Sequence, residues 1–156
     1  MNISDQGVQF ICSFEGFRAD PYPDPASGGE PYTIGYGTTI YPDGTKVTMA
    51  DQPVTQDQAA GFLQDYINKN AAGWLNANLP DLTQTQFDSL CDFIYNLGLG
   101  NFQSSSLLRD IRAGASDDVI TADFNKWVKA AGKVMPGLVK RRAAEASLYC
   151  NGVYNS

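Results

Sequence analysis

Apolar residues recur along this chain at two spacings, and the switch between them divides it. Behind Ser4, a side chain able to cap a helix, Val8, Ile11 and Cys12 fall at helical intervals. The pattern predicts a helix over 4–15 with Gly16 as its stop. Over 17–50 the period breaks into short runs punctuated by Pro and Gly, such as "PYTIGYGTTIY", and "PDGT" reads as a turn. This stretch predicts a small, irregular antiparallel sheet. Within it Tyr32, Ile34 and Tyr36 alternate with Thr33, Gly35 and Gly37, giving one bulky face and one small face. The helical period returns at Thr55, where Thr55 and Gln58 form a capping-box pair ahead of Phe62, Leu63, Tyr66 and Ile67. Another helix is predicted from near Thr83 to Gly98, and shorter ones over 105–113, 117–130 and 137–150. "GLGNF", "RAGAS" and "KVMPG" separate them. The expected fold class is α+β: a small antiparallel sheet lobe, a larger helical lobe, and a cleft between them as the ligand site. No internal repeat interrupts this order, and residues 1–156 are expected to form a single domain.

Charge and composition narrow the chemistry. The net charge is −6, unevenly spread: three basic and twelve acidic side chains fall in residues 1–108, eight basic and five acidic in 109–156. Overall acidity argues against a nucleic-acid partner, and the basic C-terminal part reads mainly as a solvated helix surface. Histidine is absent, which excludes Ser–His and Cys–His nucleophilic catalysis. Cys12, Cys91 and Cys150 are widely spaced with no CxxC pair, so they read as buried or idle thiols, and neither a metal nor another cofactor is expected. No run of eighteen apolar residues exists to span a membrane. "MNISDQGVQF" lacks the basic and apolar regions of a signal peptide, so the chain is expected to stay in a cytoplasm until something else releases it.

Two carboxylates then stand out. Glu15 is one of three glutamates and closes the first predicted helix; Asp24 follows nine positions later between Pro23 and Pro25. A carboxyl at the negative end of a helix dipole, partly buried, has its ionised form disfavoured, which suits a general acid. A solvated loop carboxyl stays ionised. Two carboxyls so separated are what glycoside hydrolysis needs, one to protonate the leaving oxygen and one to activate water or steady an oxocarbenium-like transition state. Two solvated loop acids would give the same spacing. Thr33, on the small face of its strand, can hold a water or a sugar hydroxyl, or belong to an edge strand whose glycines serve a bulge.

"FEGFRADPYPD" followed by "YTIGYG" resembles the catalytic segment of the phage-type lysozymes, glycoside hydrolase family 24. The resemblance continues through "FDSLCDFIYNLGLGNFQSSSLLRDI" and "WVKAAGKVMPGLVKRRAAEASLY", in the family's order, and covers nearly the whole chain. It implies a lysozyme-like fold and hydrolysis of the β-1,4 bond between N-acetylmuramic acid and N-acetylglucosamine in peptidoglycan. By carry-over, Glu15 is the general acid, Asp24 supports the attacking water or the developing positive charge, and Thr33 positions that water in an inverting reaction. The two carboxyls are then expected roughly 6.5–9.5 Å apart. Tyr95 and Asn96 match positions that line the sugar cleft or pack behind it. An arginine of the last helical segment pairs with the glutamate in this family; Arg141 and Arg142 are both candidates, and such a pair opposes the dipole and burial effects.

The sequence departs from the family at "GYGTT", where Thr38 replaces a histidine, and the longer "PDPASGGEPYT" segment makes the Asp24 loop flexible in principle. The resemblance also implies a monomer without membrane insertion, released to the wall by a separate hole-forming protein. A lytic transglycosylase, needing one glutamate, and a non-catalytic peptidoglycan-binding protein are the rival readings.

Overall fold

Ser4 accepts a hydrogen bond from the Gly7 N–H at 3.0 Å and starts the first helix, α1 (Asp5–Phe14), in the computed structural model, which describes residues 1–155. The helix does not end on a left-handed Gly16. Glu15 is itself the C-cap, in extended conformation with φ −98° and ψ 140°. That geometry sends the chain straight into β1 (Arg18–Tyr22).

β1 pairs antiparallel with β2 (Thr33–Gly35), Arg18 opposite Gly35 and Tyr22 opposite Thr33. The unequal spans make the register irregular, and single bridges Ile34–Thr38 and Ile40–Lys46 extend the lobe. Its "PDGT" turn forms as the sequence predicts: Tyr41 N–H donates to Thr45 O at 2.8 Å, and Asp43 Oδ1 accepts from the Thr45 N–H and hydroxyl. Ile34 and Val47 are the buried anchors of this lobe.

Thr55 caps α2 (Gln56–Ile67) with the expected reciprocal Gln58 bond. The helix does not stop at Ile67. It runs through a π-helical turn, Asn68–Ala72, into α3 (Gly73–Asn78), and the buried series Ile67, Ala71, Ala72 and Leu75 carries the apolar face on past Gly73. A second capping box, Thr83 with Gln86, opens α4 (Gln84–Leu97). Then come α5 (Leu99–Ser104), where the sequence pattern predicts only a separating segment, α6 (Ser106–Arg112), α7 (Asp117–Asn125) and α8 (Pro136–Asn151).

The expected helix over 117–130 ends five residues early. A hairpin, β3 (Lys129–Ala130) with β4 (Lys133–Val134), takes its place. Ala131 and Gly132 both have positive φ, the twist of a two-residue hairpin turn, and Met135 N–H closes it on Val128 O at 2.9 Å. Trp127, packed edge-on to Phe93, pins the end of α7 and turns the chain outward.

The centre of the helical lobe is α4. Eight consecutive residues, Phe87–Ile94, are buried, enclosed by α1, α5 and α8. Phe93 meets Phe102, Phe124 and Trp127 edge to face at 5.6–5.9 Å between ring centroids. A helix buried on every side is ordinarily apolar all round, yet this one carries Asp88, Ser89 and Asp92. Each polar group is satisfied by a neighbouring element. Asp88 accepts from the Ser4 N–H, the Ser4 hydroxyl, Gln84 and Tyr154, which ties down both ends of the chain. Ser89 donates to Glu145 O on α8 at 2.8 Å. The approach of α1 to Asp88 is so close that a Cβ on Gly7 would lie 2.5 Å from the Asp88 carboxyl carbon.

Gly35 joins the lobes. Its φ is +66°, and an added Cβ would stand 2.7 Å from the Ala59 Cβ on α2. Gly35→Ala therefore combines left-handed strain with overpacking and should cost about 2–4 kcal/mol, read as a fall in urea midpoint with the slope unchanged.

Candidate active site

Extended Glu15 leaves α1 with its carboxylate turned into a cavity of about 380 Å³ between the lobes. The Gly37–Ile40 segment after β2 forms the sheet-lobe wall, Leu63 and Tyr66 of α2 the floor, and Tyr95 and Asn96, near the end of α4, the helical wall. Tyr95 crosses the gap, donating its hydroxyl to Tyr36 O at 2.9 Å and stacking edge-on against Tyr66. Burial, and then the nearby Glu15 charge, push the Tyr95 phenol up, so it stays a neutral donor.

Behind Glu15 lies a chain of buried charges. Arg141 Nη1 donates to Glu15 Oε1 at 2.8 Å, while its Nε and Nη2 grip Asp92. Arg141 is 6% exposed, Asp92 0% and Glu15 25%, so only the outer end of the triad meets solvent. The neighbouring arginine turns elsewhere: Arg142 Nη2 donates to Asn96 Oδ1 at 2.6 Å and lies 3.0 Å from Glu145 Oε1. Burial works to lower the Arg141 pKa, but the Asp92 and Glu15 carboxylates more than offset it and raise it. For Arg142 burial prevails and the pKa is lowered. Glu145 is fully enclosed, and neither of its oxygens has a hydrogen-bond donor among the described residues. Burial, then the Asp92 charge, push its carboxyl well above the usual range against the pull of the two arginines.

The structure thus brings Glu15, Tyr95 and Asn96 to one cavity, with Arg141 against Glu15 and Arg142 against Asn96. Asp24 and Thr33 do not line that cavity; both lie on the β1–β2 hairpin that continues directly from Glu15. Asp24 is half-buried at the base of its loop, where its N–H donates to Gly29 O at 3.0 Å and its carbonyl accepts from Gly28 N–H at 2.8 Å. The longer loop is therefore closed by a pair of backbone bonds. Thr33 stands opposite Tyr22, two residues before Asp24.

Asp92 and Glu145 are not among the residues the sequence singles out, although Asp88 and Asp92 at i,i+4 inside "FDSLCDFIYNL" are a usable signal of a buried polar stripe. Cys12, one turn before Glu15, is pushed up to about 11 by burial and then by the Glu15 charge, so it remains a thiol. No cluster of three or more ligand-type side chains among the described residues is placed to hold a metal ion.

Comparison with known proteins agrees with this architecture. Residues 12–145 match the family model for phage lysozyme. The chain is 40% identical over 152 residues to an endolysin of Bacillus phage PZA, covering 97% of this chain and 56% of that protein. It spans 55% of the endolysin of Bacillus phage B103, so it corresponds to about half the length of these relatives. Among solved structures, an endolysin from Escherichia coli O157:H7 phage FAHEc1 superposes with a TM-score of 0.83 at 32% identity, covering 100% of this chain and 98% of that one. The muramidase domain of SpmX from Asticaccaulis excentricus gives a TM-score of 0.76 at 31% identity, with 94% of this chain and 96% of that one covered.

Two predictions follow from the buried charges. Arg141→Met leaves Asp92 enclosed without a counter-charge and should cost about 3–5 kcal/mol in equilibrium unfolding. Glu145→Gln should be tolerated. The unfolded chain releases this proton near pH ~4.3, while the native state holds it to higher pH, so wild-type stability falls as pH rises between the two values. Glu145→Gln removes that slope. Its advantage over wild type should grow above pH ~4.3 by up to roughly 1.4 kcal/mol per pH unit, measured by denaturant midpoints across pH.

Proposed function

Since the chain belongs to the phage lysozyme family, we propose that it is a muramidase that hydrolyses the β-1,4 bond between N-acetylmuramic acid and N-acetylglucosamine in bacterial peptidoglycan. The observation that carries this reading is the delivery of Glu15 to an inter-lobe cavity, braced from behind by Arg141 and faced by Tyr95 and Asn96. Glu15 is the general acid. Arg141 holds Oε1, and Oε2 passes the proton to the leaving glycosidic oxygen as the bond to the anomeric carbon breaks. Asp24 takes a proton from the attacking water, or steadies the positive charge that develops on the sugar. Thr33 orients that water on the opposite face, and the product anomer is inverted. No cofactor enters these steps.

The biological reading follows. The protein acts as a monomer in host cell lysis, is held in the host cytoplasm, and reaches the wall when a separate protein opens the membrane. Supporting this, no helix among the described residues is long and apolar enough to cross a membrane itself.

Purified peptidoglycan digested by wild type, Glu15→Gln and Asp24→Asn tests the chemistry. Wild type should yield reducing muramic ends. Both variants should lose roughly 10²–10⁴-fold in rate, as expected when a positioned acid or base is removed. Anhydro ends, with Asp24→Asn fully active, would instead identify a transglycosylase.

A further inference from the structure

No residue of the β3–β4 ribbon or of the first turn of α8 lines the inter-lobe cavity. Residues 129–137 are nine consecutive exposed positions. Lys129 lies opposite Val134 and Ala130 opposite Lys133, so each face of the ribbon carries one lysine, and both faces are open to solvent. A two-stranded ribbon with neither face packed is marginally stable in water. Its apolar side chains are exposed as well. Val134 is 56% exposed, Met135 43%, and Val139, whose N–H bonds one turn back to the Met135 carbonyl, 43%. Charge here runs against the rest of the chain. Between Asp123 and Glu145 there are six basic residues and no acidic one, in a protein of net charge −6. Arg141 and Arg142 are buried, and Lys126 is paired with Asp123. No ion pair among the described residues takes up Lys129, Lys133 or Lys140.

We infer that the ribbon and the first turn of α8 form a docking surface for an anionic lipid bilayer. Val134, Met135 and Val139 enter the boundary between headgroups and acyl chains, and Lys129, Lys133 and Lys140 meet the lipid phosphates. The occupant follows from the two features together. Lysines alone would suit any polyanion, but a hydrated polyanion gives three exposed apolar side chains nothing to enter. A bilayer surface supplies negative charge and apolar depth side by side, and it needs no matching shape from a ribbon open on both faces. The lysine stems can lie along the apolar layer while their ammonium groups stay in water. The contact is peripheral: strands of two residues are far short of the roughly 9–11 needed to cross a bilayer. This surface is separate from the Glu15 cavity and gives the chain a second affinity beside the one for its glycan.

The test is co-sedimentation with vesicles of mixed phosphatidylglycerol and phosphatidylcholine, and of phosphatidylcholine alone. It compares wild type with two triple variants, Lys129→Gln/Lys133→Gln/Lys140→Gln and Val134→Thr/Met135→Gln/Val139→Gln. All six positions are exposed, and circular dichroism verifies folding. Wild type should bind the anionic vesicles, more weakly as salt rises, and leave the neutral ones in solution. Each lysine near an anionic surface contributes about fivefold, so the lysine variant should bind about 10²-fold more weakly. The apolar variant should lose binding as well. Both should digest purified, lipid-free peptidoglycan at the wild-type rate. A wild type that binds neither vesicle, or both equally, overturns the inference. So does an apolar variant that binds like wild type, which with equal binding to purified poly(glycerol phosphate) would identify a wall polyanion as the partner. Slower digestion of lipid-free peptidoglycan by both variants would assign the surface to the substrate instead.

Discussion

One guanidinium holds three segments of this protein in register. Arg141, on the last helix, reaches Asp92 on the central helix and Glu15 at the end of the first. Its position is over-determined: it is 6% exposed, it faces two carboxylates, and the Phe14 ring lies 5.3 Å from it. Moving the central or the last helix would separate Arg141 from Asp92 in a region that water does not reach, which is among the most costly errors a fold can make, and moving the first would take Glu15 from its partner. The glutamate that faces the substrate cavity thus takes its position from the packing of the helical lobe as well as from its own loop.

The same logic extends along α4. Apolar side chains alone would let neighbouring helices slide or rotate with modest changes in buried area, because the hydrophobic effect has no direction. Asp88, Ser89 and Asp92 remove that freedom. Each demands a particular donor or acceptor from α1, α8 or the C-terminal tail. Glu145 and Arg142 add a second line of polar contacts that surfaces at Asn96. Glu15 and Asn96 are therefore two exits of one buried network, and the spacing between them in the cavity is set by the buried side chains behind them.

Local chemistry was well written in the sequence. Ser4, Thr55 and Thr83 cap their helices because each precedes an apolar period, and "PDGT" turns because Asp43 satisfies Thr45 two residues on. What the sequence left unread depends on distance. The α4 carboxylates carry little local sign of burial, since the groups that satisfy them lie from 4 to 84 residues away along the chain. Arg141 and Arg142 are adjacent and alike, and the packing of α8 decides which one turns toward Glu15. The 129–134 hairpin was hidden because Ala131 adopts a positive φ that its residue type does not advertise. The family resemblance supplied Asp24 and Thr33, while local pattern said only that they share a hairpin.

The close seat of Gly7 against Asp88 turns the first helix into a ruler. With that contact as its zero mark, Glu15 stands eight residues along, a rise of about 12 Å. Each inserted or deleted residue between the two marks would swing the carboxylate by about 100° around the helix axis. Evolution can therefore vary the composition of this segment far more readily than its length.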